Sequence, residues 1–140
     1  LASFLAFAKP GDYIALQAYL PPSASLDMLL ADWRLLLRDG YRMATTVGYG
    51  PRFLHSTGQL HKGDDGRGYF IQLTADNSLD VAIPDEMTGG QSVLTFGALQ
   101  IAQARGDAQA LESRGRRVIR FHFAGDIQQG IAKLIQSLKR

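Results

Sequence analysis

The sequence predicts an α/β domain: a doubly wound three-layer sandwich with a mainly parallel sheet between helices. Three observations lead there. Short apolar runs with strand character alternate with segments whose apolar residues recur at helical spacing. The order reads β-α-β-α-β-α-β-α, which implies parallel strands joined by right-handed crossovers. The 140 residues fit one domain, spanning 1–140, and can bury a sizeable core.

Each element has its own signal. Residues 1–9 (LASFLAFAK) read as the tail of an apolar helix, so the chain is expected to be a piece of a longer one. Tyr13 to Leu20 is an apolar strand stopped by Pro21-Pro22. Leu26, Leu29, Leu30, Trp33, Leu36 and Leu37 then share one helical face, with Ser25 as the expected start cap, Gly40 as the expected end and Trp33 as core. Met43 to Gly48 is the second strand, and the polar segment after it can hold a short helix. Asp64 to Gly68 is a turn, and Tyr69 to Ala75 is the third strand. Asp76 to Ser92 reads as a long excursion, the kind of loop that often serves as a lid or binding loop. Thr95 to Ala104 is helical. Gly106-Asp107 is read as an interruption, with Asp107 capping a second piece that Gly115 ends. Val118 to Phe123 is the fourth strand. Asp126 caps a last helix with Ile127, Ile131, Leu134, Ile135 and Leu138 on one face, and Lys139 and Arg140 at its C-terminal end suit the helix dipole.

Composition narrows the function classes. The chain is 46% hydrophobic and 20% charged, ordinary for a globular domain. It has no cysteine, which excludes disulfides and thiol catalysis and suits a cytoplasmic protein. No apolar run is long enough to span a bilayer, so no membrane partner is expected. The net charge is +2. The only basic cluster is Arg114, Arg116, Arg117 and Arg120, read as a solvated helix end rather than a nucleic-acid face, so no nucleic-acid partner is expected.

The chemistry concentrates in Gly48-Tyr49-Gly50-Pro51-Arg52-Phe53-Leu54-His55-Ser56-Thr57-Gly58-Gln59-Leu60-His61-Lys62-Gly63. It begins at the carboxyl end of a predicted strand, where open α/β sheets bind ligands. A histidine shuttles protons near neutral pH, and a lysine can stabilise an oxyanion or act as an acid. If residues 52–60 are helical, His55 and Gln59 are neighbours on one face. The same residues also read as a polar helix start with a satisfied histidine and an exposed lysine. The His55–His61 spacing is not a metal signature and no carboxylate joins it, so no metal is expected. The glycines form neither GxGxxG nor a P-loop, and no cofactor is expected. Ser23 and Ser25 can hold a phosphate at a helix start, although capping is the simpler role. His122 reads as a packing histidine.

These residues resemble a family. LHSTGQ (54–59) resembles the HSxGQ-type segment of phosphoglucose isomerases. GYGPRFLHSTGQLHKG (48–63) resembles the isomerase part of bifunctional transaldolase/phosphoglucose isomerase fusions. Thr95-Phe96-Gly97-Ala98-Leu99 resembles the family's T-x-G-A-L helix. GRRVIRFHF with Asp126 to Gly130 resembles its last strand and glutamine-x-glycine turn. The resemblance spans nearly the whole chain in order. It implies a flavodoxin-like sugar isomerase (SIS) domain, the second of two in such an enzyme. It also implies metal-free interconversion of glucose 6-phosphate and fructose 6-phosphate through an enediol.

The resemblance carries over residue by residue only in part. The family's base is a glutamate near the HSxGQ segment. Ungapped matching puts Phe53 there, with Glu86 or a residue outside this chain as alternatives. The position of the family's lysine on the last helix is Ile135, with Lys133 directed elsewhere, so Lys62 is the substitute candidate for the acid or oxyanion partner. His55 is the candidate for ring opening. Arg52, Ser56, Thr57, Gln59 and Gln128 are candidate substrate contacts. The implied partners are the sugar phosphate, other domains of the same chain and further copies in a homo-oligomer. The alternative reading is a non-catalytic sugar-phosphate-binding SIS module, which the missing carboxylate favours.

Overall fold

Two strands can be covered from both sides, and they form the middle of the sheet. In Tyr13–Tyr19 (β1) every residue from Ile14 onward is buried, and in Gly68–Ala75 (β3) every residue is. In the computed structural model, which describes residues 1–84 and 90–138, these strands pair in parallel. Ala44–Tyr49 (β2) pairs with the free side of β1, and Arg117–Phe123 (β6) with the free side of β3. The order β2-β1-β3-β6 is wholly parallel, and both outer strands are partly exposed. This is the three-layer flavodoxin-like sandwich that the alternation of elements predicts.

The two faces differ in chemistry. One is apolar: Ile14, Leu16, Ala18 and Leu20 with Tyr69, Ile71, Leu73 and Ala75 meet two helices. These are Ala24–Tyr41 (α2), which brings Leu26, Leu30, Trp33 and Leu37, and Ile127–Ser137 (α5), which brings Ile131 and Ile135. Each fully buried side chain of this kind contributes about 1.5–3 kcal/mol. Trp33 is core, as its place in the helical stripe predicts. A short helix, Ala2–Leu5 (α1), adds buried Leu5, and Phe4 meets the Tyr69 ring edge-on at 5.4 Å.

The opposite face is covered by Ser56–Gly63 (α3) and Phe96–Glu112 (α4). Among the described residues a small apolar cluster of Ala15, Phe70 and Leu111 lies there, with buried Tyr19, Ala104 and Ala108. This face also carries polar residues: Gln17, Gln72, Thr74, His61 and Asp107 are all buried. The turn between α3 and β3 is tied down by Asp64, which accepts from the N–H groups of Gly66 (2.9 Å) and Gly68 (3.2 Å) and from the Tyr13 hydroxyl (2.7 Å). Gly66 takes φ +75° there, a conformation glycine adopts without strain.

Several local expectations are corrected. Ser23, not Ser25, caps α2 through the Leu26 N–H (3.2 Å), and α2 runs past Gly40 to a left-handed Arg42 (φ 54°). Gly106-Asp107 does not interrupt the helix: α4 is continuous to Glu112, and Asp107 is a buried mid-helix residue rather than a cap. The excursion after β3 contains an antiparallel pair, Ala82–Pro84 (β4) and Gln91–Thr95 (β5). Thr95 caps α4 and Asp126 caps α5. The arginine cluster is not simply solvated. Arg116 pairs with Asp64 (2.9 Å) and donates to the Lys62 carbonyl, while the Arg117 guanidinium lies 4.6 Å from the centre of the Tyr69 ring. Glu86, Lys139 and Arg140 lie outside the described residues. Among the described residues no helix is long and apolar enough to cross a membrane.

Candidate functional site

The chain winds outward in opposite directions from the β1–β3 boundary, which makes that boundary the topological switch point. A crevice of about 490 Å³ opens there, lined among others by Leu20, Pro22, Pro51, Asn77, Asp80 and Phe96. Pro51 belongs to the motif segment, which leaves β2 at its carboxyl end and so borders the crevice. Gly50 is required at this exit, because a Cβ on it would sit 2.4 Å from the ring of buried Tyr19.

The segment does not form one helix. Arg52–Leu54 is a 3-10 turn, His55 breaks it with ψ −100°, and α3 starts at Ser56. His55 and Gln59 therefore do not share a single helix over residues 52–60. Arg52, His55, Ser56, Thr57 and Gln59 are all exposed. Phe53, at the position matched to the family's glutamate, packs edge-on against Tyr19 (5.6 Å) and lies 6.1 Å from the His61 ring. It works as a hydrophobic anchor for the segment.

The other two cationic candidates face inward. Lys62 forms an ion pair with Asp107, whose side chain is 1% exposed. The carboxylate that the motif lacks in sequence thus reaches it from α4. Lys62 is paired with it and mostly buried, so the reading of the segment as a polar helix start with an exposed lysine does not hold. His61 is buried, and its Nδ1 accepts from the Gln17 amide at 3.3 Å, which leaves the proton of the neutral ring on Nε2. Burial, ahead of the neighbouring charges of Asp107 and Lys62, holds its pKa below the ordinary value. Gln128 stands apart from all of these. It lies on α5, on the opposite face of the sheet, and donates to Ser25 Oγ at 2.8 Å, which links α5 to the start of α2. The hydroxyl of Ser25 is thereby occupied.

His122 corrects a further expectation. It is not packed in the core. Its side chain is 47% exposed, with Nδ1 3.0 Å from Thr74 Oγ1 and Nε2 3.0 Å from Asp76 Oδ1. Sequence alternation places it on a strand but gives no sign that β6 is an edge strand. Asp80 is a residue that sequence reasoning missed. Its carboxylate accepts from Thr95 Oγ1 (2.6 Å), Gly97 N (2.8 Å) and Val81 N (2.9 Å). The Thr95 bond first, and the Gly97 bond next, hold its pKa below the usual carboxylate range. Among the described residues no three His, Asp or Glu side chains converge as metal ligands would.

The His61 geometry makes a pH prediction. Its native pKa lies below the unfolded value of about 6.5, so the unfolded chain binds a proton more readily. The stability that neutral His61 contributes is present above that unfolded pKa and is lost as pH falls through the native one. Urea midpoints measured at pH 7.5 and 5.5 should show a drop on acidification. In His61→Asn the midpoint at pH 7.5 is lower and the drop is smaller. An equal drop in both proteins would mean that His61 is not the titrating group.

No protein-family model and no curated protein sequence matches the chain. Among solved structures it is similar to the hypothetical protein TT0462 from Thermus thermophilus, with a TM-score of 0.78 at 20% identity. The match covers 98% of this chain and 36% of that one, so the chain spans about a third of the neighbour's length. At this identity the likeness concerns the fold.

Proposed function

We propose that this chain is an SIS-type domain of an aldose–ketose isomerase acting on glucose 6-phosphate and fructose 6-phosphate, within a longer protein that also carries a transaldolase. The observation that carries the proposal is the position of the 48–63 segment. The string that resembles the isomerase part of those fusions starts at the carboxyl end of a parallel strand, borders the switch-point crevice and presents His55 to solvent. In this reading His55 transfers the proton that opens the sugar ring, and Arg52, Ser56, Thr57 and Gln59 are close enough in the chain to contact the same substrate. The base that moves a proton between C2 and C1 comes from elsewhere in the longer protein or from the 85–89 segment. Lys62 positions α3 through Asp107.

The test is isomerisation of glucose 6-phosphate by the intact parent protein. His55→Ala should lower kcat by roughly 10²–10⁴-fold, the usual contribution of a positioned acid–base group. Unchanged turnover in that variant would remove His55 from the mechanism.

A second reading, a non-catalytic sugar-phosphate-binding module, is favoured by one observation. The position matched to the family's glutamate holds Phe53, packed against Tyr19. Calorimetric binding of 6-phosphogluconate without turnover in the intact parent protein would select it.

A further inference from the structure

A cleft larger than the switch-point crevice does not involve the 48–63 segment. It measures about 790 Å³, within the range of small-molecule sites, and lies between the first half of α4 and the β3–β6 edge of the sheet. Its chemistry changes from one end to the other. Arg120 on β6 is opposite Gln72 in the strand register, and the Gln72 amide donates to the Ala104 carbonyl at 2.9 Å, beside Arg105. Arg105 and Arg120 therefore line the cleft at one level, and among the described residues neither makes an ion pair. At that level the Oε1 of Gln72, fully buried, has no hydrogen-bond partner among the described residues. Beyond the carboxyl end of β3 the lining becomes Asp76, Asn77 and Asp80, with His122 between the two ends.

We infer that this cleft is a binding site for a small phosphorylated polyol. Two guanidinium groups with no carboxylate partner among the described residues suit a phosphate dianion, which arginine can contact through paired N–H donors. The acidic end suits hydroxyls rather than an ammonium group. Asp80 already accepts from three donors and Asp76 from His122, so both carboxylates are held by hydrogen bonds while lone pairs remain for O–H donors. Asn77 can both donate and accept. The Asp76 carboxylate accepts from His122 Nε2–H, and His122 Nδ1 lies 3.0 Å from the Thr74 hydroxyl. This fixes the imidazole ring in the wall of the cleft. The inference does not rest on the isomerase reading, because no residue of the 48–63 segment lines this cleft.

The test is a titration of the ¹⁵N-labelled 140-residue protein with sorbitol 6-phosphate, and in parallel with sorbitol and with inorganic phosphate. Sorbitol 6-phosphate should shift amides in residues 74–77, 97–105 and 120–122. Inorganic phosphate should bind more weakly to the same arginine end, and sorbitol should produce no shifts. Arg105→Ala combined with Arg120→Ala should weaken the ester by roughly tenfold or more, the loss expected for charge-assisted contacts. Both side chains are exposed, so the variant should keep the wild-type amide spectrum. A separate variant, Asn77→Ala, should weaken the ester and leave inorganic phosphate unaffected. The inference is overturned if the ester does not bind at millimolar concentration, if its shifts fall on residues 50–62, or if the double-arginine variant binds it as well as wild type. Isomerase activity of the intact parent protein, retained or lost, is read separately through His55.

Discussion

Replacing Asp107 by alanine should lower the unfolding free energy by about 3 kcal/mol, the lower end of the cost of breaking a buried ion pair. The loss comes from what remains behind. Lys62 keeps its charge in a site where its side chain is only 18% exposed. The lower end applies because that exposure lets the ammonium recover some water. Asp107→Asn should cost less, since the amide oxygen still accepts from Lys62 Nζ. Lys62→Met combined with Asp107→Leu should cost less than Asp107→Ala alone, because no charge is then left in the layer between α3 and α4. Urea unfolding curves order the three. If the double variant is the least stable, the pair contributes net stability and is more than a charge that has to be compensated.

Trp33→Ala should be comparably severe, at about 3–5 kcal/mol, because the indole is fully buried among the apolar residues of α2, α5 and the sheet, and removing it leaves a cavity. Trp33→Phe tests a finer point. The indole Nε1 has no partner among the described residues, and a buried unpaired donor is itself destabilising by about 1–3 kcal/mol. Phenylalanine removes that donor along with part of the volume, so the two effects oppose each other and the variant should stay within about 1.5 kcal/mol of wild type. A Phe variant as unstable as the Ala variant would show that the indole nitrogen is satisfied in solution.

The apolar half of this fold was legible in the sequence because it follows simple periods. Leu26, Leu30, Trp33 and Leu37 of the predicted stripe and the run from Tyr69 to Ala75 are buried as their spacing predicts, whereas Leu36, assigned to the same face, is 45% exposed. The polar half was not. Asp107 after Gly106 resembles a helix start, and only the approach of Lys62 from 45 residues away makes it a mid-helix core residue. The β4–β5 pair was missed because its strands are short and one ends at Pro84 among turn-forming residues. His122 was misplaced because alternation reports which face a residue points to, not whether that face is covered. In the candidate site, the position of the 48–63 segment at a strand end was readable. That Lys62 and His61 turn inward was not, because both of their partners, Asp107 and Gln17, are distant in sequence.

The unequal faces of the sheet have a consequence for how the molecule breathes. On the α2–α5 side, opening exposes a continuous oily layer, so amides there should exchange with deuterium only on global unfolding. On the other side the eight residues of α3 are held by an ion pair, by ring contacts of Phe53 and His61, and by a few hydrogen bonds. That short helix can detach and return while the four strands stay paired. The segment that borders the switch-point crevice should therefore exchange faster than the α2–α5 layer, and the strands beneath it provide a fixed surface to which it returns.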